Sequence, residues 1–117
     1  MTGIELAKAA AQVLDDKLGV DVKILKVEDL TILTDYFVIA SGTSNTQVRA
    51  LADEVEQYLE KSGAKPRGIE GNPDGGWVLL DYGTVIIHVF HAQAREFYSL
   101  ERLWADAKQI DTEMITD

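Results

Sequence analysis

Trp77-Val78-Leu79-Leu80-Asp81-Tyr82-Gly83-Thr84-Val85-Ile86-Ile87-His88-Val89-Phe90 reads as a β-hairpin turning at Tyr82-Gly83-Thr84, and the parity of its side chains decides the fold. Side chains on a strand alternate between faces, so a two-residue loop puts Val78, Leu80, Val85, Ile87 and Val89 together. That face is wholly aliphatic and belongs to a core. The opposite face carries Trp77, Leu79, Asp81, Thr84, Ile86, His88 and Phe90. Two large aromatics, a carboxylate and an imidazole make a mixed surface, of the kind that something must cover. The cover is either a partner or the chain's own last helix, and the second choice would make Trp77 and Phe90 core residues.

Working upstream, residues 65–71 suit a short edge strand, because Pro66 cannot donate to a central ladder. Asn72-Pro73-Asp74-Gly75-Gly76 is a turn cluster. A helix before it carries Val48, Leu51, Ala52, Val55, Tyr58 and Leu59 on one face and stops at Gly63. Ser41-Gly42-Thr43-Ser44 offers it hydroxyl caps. Asp35-Tyr36-Phe37-Val38-Ile39-Ala40 has few polar residues, as an interior strand buried on both faces would. A loop through Glu28, Asp29 and Thr31 joins it to an alternating strand over residues 20–27. The first helix opens with the capping-box spacing of Thr2 and Glu5 and ends at Gly19. Its apolar stripe runs through Ile4, Ala7, Ala11, Leu14 and Leu18.

Downstream, a last helix is expected over residues 94–108. At 3.6 residues per turn Phe97, Leu100, Leu103, Trp104 and Ala107 share one stripe. Tyr98 falls off it, beside Glu101 and Arg102, and so needs another partner. Arg95 and Glu101 are either solvated or paired with Asp81. The expected order is α-β-β-α-β-β-β-α, a mixed sheet with helices in one α/β sandwich domain over residues 1–108. An acidic tail follows over residues 109–117.

The 117 residues carry 20 acidic against 11 basic side chains, a formal net charge of -9. Phosphate-dominated binding needs a basic footprint, so direct DNA binding is not expected. An acidic domain suits a basic protein, through complementarity that speeds encounter. Cysteine is absent, which excludes disulfides, thiolate metal sites and cysteine nucleophiles. No signal peptide and no apolar run long enough for a bilayer is visible, so a cytoplasmic protein without a membrane is expected.

Catalytic sets are hard to find. His88 and His91 lie on a strand and its exit with no third ligand nearby, so no metal is expected, and His88 is expected as a hydrogen-bonded sheet histidine. Ser41-Gly42-Thr43-Ser44 lacks the lysine and glycine spacing of a phosphate loop. Asp81 stands alone on its strand, and no Ser-His-Asp order suggests a nucleophile. The reading is therefore no catalytic residue and no cofactor. The rival is a small nucleotide-binding enzyme using Asp35, Ser41 or Asp81. A third reading is an adaptor for some other basic protein.

Three blocks carry a family likeness. Residues 35–44 with Gln47 and Val48, then Glu70-Gly71 with Gly76-Trp77-Val78-Leu79-Leu80-Asp81-Tyr82-Gly83, then His88-Val89-Phe90 with residues 95–104, resemble in order the signatures of the Iojap-like ribosomal silencing factors. Thr84 departs from the acidic residue expected there, and Ala92-Gln93-Ala94 is less acidic than usual. The resemblance implies a nucleotidyltransferase-like α/β fold without its catalytic carboxylates. It also implies a bacterial cytoplasmic protein that binds large-subunit ribosomal protein number fourteen and sterically blocks subunit joining under nutrient limitation. Trp, Tyr and Arg dominate binding hot spots, where truncation costs about 2 kcal/mol or more. Trp77 and Tyr98 are the expected anchors, with Leu79, Asp81, His88, Phe90, Arg95 and Leu100 as weaker candidates. The same apolar patch would suit a homodimer of the free protein.

Overall fold

The chain begins as its caps dictate. Thr2 accepts from Glu5 N while the Glu5 carboxylate accepts from Thr2 N, closing a capping box on helix α1, Gly3–Asp16. Such a cap is worth about 1 kcal/mol. The computed structural model describes residues 1–72, 74, 76–98 and 104–110, with residues 96–98 described by backbone alone. After α1 come β1 (Val20–Lys26), β2 (Tyr36–Gly42), α2 (Asn45–Lys61), β3 (Gly68–Asn72), β4 (Trp77–Asp81), β5 (Val85–His91), α3 (Ala92–Tyr98) and β6 (Lys108–Ile110).

These strands form one mixed sheet in the order β3-β4-β5-β2-β1-β6. β2 and β5 run parallel at its centre, while the remaining neighbours are antiparallel. β2 is the interior strand that its composition predicts, buried on both faces from Phe37 onward. β3 is an edge, as Pro66 suggests. Gly71 sits in it at φ 112°, where an added Cβ would lie 2.5 Å from the Trp77 carbonyl oxygen. Only glycine allows β3 to approach β4 that closely.

Two apolar layers sandwich the sheet. On one face α1 and α2 cover Ile24, Val38, Ala40, Val78, Leu80, Val85, Ile87 and Val89. On the other a smaller cluster joins Leu25, Val27, Phe37, Ile39 and Phe90, with Trp77, Ile86, Ala94, Trp104 and Ala107 packed against it.

Four expectations need correction. The last helix does not run over residues 94–108: α3 is described over Ala92–Tyr98, Trp104 to Ala107 form a turn, and residues 108–110 are an edge strand beside β1. That strand adds an element to the expected order. Its driving force is Ile110, which pairs with Ile24 and packs on the larger core. Leu18 leaves the stripe of α1, because the helix ends at Asp16 and Leu18 turns outward in the left-handed region at φ 68°. Gly19 then donates to Leu14 O at 2.7 Å. Tyr58 lies at the margin of the α2 face and is half exposed.

Candidate interaction face

The hairpin delivers its two faces as parity requires. Leu80 pairs with Ile87 and Val78 with Val89, beneath the helices; Trp77 pairs with Phe90, Leu79 with His88 and Asp81 with Ile86 on the far side. α3 packs over β5 and β2, so the far face is divided. Phe90 and His88 are buried, whereas Trp77, Leu79, Asp81 and Ile86 are half-buried. Glu70 of the edge strand pairs with Leu79 and is exposed. Of the two covers weighed from sequence, the chain's own α3 supplies one over the β5 half. Of the anchors named from sequence, Trp77, Leu79 and Asp81 come together on β4. Tyr98 lies in α3 with its side chain outside the described residues, and Leu100 is outside them altogether.

His88 occupies the middle of this face at 7% exposure. Its ring stacks on Phe90, with centroids 5.8 Å apart and an interplanar angle of 5°. Phe37 meets it edge-on at 5.2 Å and in turn meets Trp104 edge-on at 5.3 Å. Among the described residues neither ring nitrogen has a hydrogen-bond partner. The hydrogen-bonded sheet histidine expected from sequence is thus replaced by a neutral ring in an aromatic row. Burial pushes its pKa down to about 4, since desolvation penalises the cation.

Arg95 is neither solvated nor paired with Asp81. It is 7% exposed, and its Nη1 donates to Asp21 O at 2.7 Å and to Ser41 Oγ at 3.0 Å. Nη2 lies 3.4 Å from the Asp21 carboxylate. The local cause is an irregularity in β1: register shifts between Val20 and Lys23, with Asp21 at φ 52°. A break of this kind frees backbone acceptors from the ladder, and the planar guanidinium collects them. Arg95 therefore clamps α3 to β1 and β2. Asp81 has a local role too, its Oδ1 accepting from Gly83 N at 2.8 Å to fasten the hairpin turn.

The hydroxyl residues of the 41–44 loop have other partners. Ser44 accepts from Gln47 N at 3.1 Å, Thr43 donates its backbone and hydroxyl hydrogens to Gln47 Oε1, and the Ser41 hydroxyl holds Arg95. The loop 41–44 is a helix cap in this arrangement. Among the described residues no group of three or more His, Asp or Glu could hold a metal ion. The hollow between α1 and α2, lined by Val13, Asp16, Lys17, Glu54, Gln57, Tyr58 and Lys61, contains none of Asp35, Ser41 or Asp81. Among the described residues, no helix is long and apolar enough to cross a membrane.

Sequence reasoning missed Phe37, Ile39 and Trp104 as the floor of this face. The continuous apolar run of β2 was the available signal, since a strand buried on both sides implies a second layer.

Comparison with known proteins supplies the remaining information. The family described as "Ribosomal silencing factor during starvation", RsfS, matches residues 1–117. A Bacillus subtilis protein named ribosomal silencing factor RsfS is 40% identical over 106 residues, covering 91% of this chain and 90% of the relative. The chloroplastic protein Iojap of Arabidopsis thaliana is 38% identical over 92% of this chain and 43% of its own length. A crystal structure of a Chromobacterium violaceum protein superposes with a TM-score of 0.86 at 39% identity, covering 90% of this chain and 88% of that one. The three sequence blocks, the mixed sheet and these relatives agree, and the chain belongs to the RsfS family of ribosomal silencing factors.

Proposed function

We propose that this protein binds the large ribosomal subunit at ribosomal protein number fourteen and blocks small-subunit joining by occupying that site. The observation that carries the reading is the half-buried row of Trp77, Leu79 and Asp81 on β4, on a chain that belongs to this family and has a net charge of -9. An aromatic and an aliphatic side chain left half-exposed on a rigid strand are anchors of the kind binding sites use. The acidic surface steers them toward a basic partner. Tyr98 and Leu100 remain candidates from the family resemblance, with Leu100 and the Tyr98 side chain outside the described residues. His88, Phe90 and Arg95 act from beneath, holding the strand and α3 in place. No catalytic step is involved, and the site of action is the bacterial cytoplasm. In the free protein the same face pairs with a second copy.

Co-sedimentation with purified large subunits tests the reading, comparing wild type with Trp77→Ala and Tyr98→Ala after circular dichroism confirms folding. Loss of binding in both variants is the expected result. Wild-type protein that stays in the supernatant overturns the function, and equal binding by all three moves the interface elsewhere. The nucleotide-enzyme alternative predicts heat on titration with nucleotides and magnesium; a flat calorimetric trace removes it.

A further inference from the structure

Between β1 and β2 the chain passes through a loop with an apolar tip. Leu30, Ile32 and Leu33 are exposed, Ile32 completely and Leu33 to 78%. One exposed aliphatic side chain needs no explanation, but three within four consecutive residues form a patch. The tip is ordered by its own hydrogen bonds. Leu30 N and Thr31 N donate to Val27 O at 2.9 and 3.1 Å, and Thr31 Oγ1 accepts from Leu33 N at 3.1 Å. Val27 and Thr34 are buried at its base. A fixed backbone therefore points aliphatic side chains into solvent, at little ordering cost to any partner that takes them up.

The surroundings say what kind of partner fits. Glu28 and Asp29 precede the tip and Asp35 follows it. Lys26, the base beside them in sequence, already pairs with Glu28 at 3.0 Å. Nucleic acid would set its phosphates against these carboxylates. A second copy would set the same carboxylates against each other. A basic protein surface with an apolar hollow satisfies both features. Asp35 N also donates to Thr84 O at 3.0 Å, so the loop adjoins the hairpin turn at the Asp81 end of the proposed face.

We infer that the loop over residues 27–35 is a second anchor. Ile32 and Leu33 insert into an apolar hollow on a basic protein of the large subunit, and Glu28 and Asp29 meet Lys or Arg at its rim. This rests on the ribosome-binding reading, to which it adds a contact at the opposite end of the β4 face from Trp77.

The test compares wild type, Ile32→Ser/Leu33→Ser, Glu28→Lys/Asp29→Lys and Trp77→Ala in co-sedimentation with purified large subunits at two salt concentrations. Removing both aliphatic side chains is expected to weaken binding about a hundredfold with an unchanged urea midpoint. Charge reversal is expected to weaken binding most at low salt. Wild-type affinity in the Ile32/Leu33 variant, alongside lost binding in Trp77→Ala, overturns the second anchor and leaves the function standing. A lowered urea midpoint also overturns it, because the tip then packs on its own fold. A free dimer abolished by the loop variant while ribosome binding persists names a second copy as the occupant instead. If wild type itself fails to bind, the function falls and the anchor falls with it.

Discussion

Lowering the pH from 8 to 5 is expected to destabilise this protein, and His88 sets the size of the effect. Its imidazole lies between Phe90 and Phe37 with no hydrogen-bond partner among the described residues, and burial takes its pKa from 6.5 down to about 4. Above pH 6.5 the ring is neutral in both the folded and unfolded chain and contributes nothing to the pH dependence. Between 6.5 and about 4 the unfolded chain takes up a proton that the folded chain refuses, so stability falls as the pH falls. Linkage makes the loss about 2 kcal/mol at pH 5 and about 3 kcal/mol once the pH is below the folded value. Urea unfolding of wild type and His88→Leu at both pH values measures it. Carboxylates titrate in the same range, which makes the variant the necessary control. Its stability should fall by about 2 kcal/mol less than wild type. At pH 8 His88→Leu should be neutral or stabilising, because two nitrogens with no partner among the described residues are removed. Equal pH dependence in the two proteins would refute the account and show that the folded state can solvate the charged ring.

Two further predictions follow from backbone and clamp geometry. Arg95→Met removes donors held at 2.7 and 3.0 Å and should lower the free energy of unfolding by about 2–3 kcal/mol; Arg95→Lys should recover only part, since an ammonium cannot span both acceptors. Urea midpoints measure both variants. Leu18→Gly relieves a left-handed leucine at φ 68° and should stabilise by about 0.5–1 kcal/mol after the entropic cost of glycine, raising Tm by a few degrees in a thermal melt.

Much of the fold was legible because its signals are local. The capping box at Thr2 and Glu5, the interior composition of β2 and the two faces of the hairpin each need only a few consecutive residues. The end of the chain was misread for the opposite reason. Trp104 and Ala107 share the spacing of a helical stripe with Phe97, and periodicity cannot tell one continuous helix from a turn laid back over the same cluster. Three residues are also too few for β6 to show alternation. At the candidate face, sequence placed Trp77, Leu79 and Asp81 together because strand parity is rigid. It could not find the partners of Arg95, since Asp21 lies about seventy positions away and its carbonyl is available only through a break in β1. Nor could it foresee a histidine with no hydrogen-bond partner among the described residues, because burial on the second face depends on α3 and Trp104.

The parallel contact of β2 with β5 also governs how the protein is made. Ile39 pairs with His88 about fifty residues later, and everything between them must be threaded and closed into a loop before the centre of the sheet exists. High sequence separation of this kind slows folding. During synthesis the most completely buried strand waits without one of its two neighbours until β5 has left the exit tunnel. In that interval Phe37, Val38 and Ile39 are open to chaperones or to a second nascent chain. Truncation before residue 85 would therefore leave an aggregation-prone fragment in place of a smaller working domain.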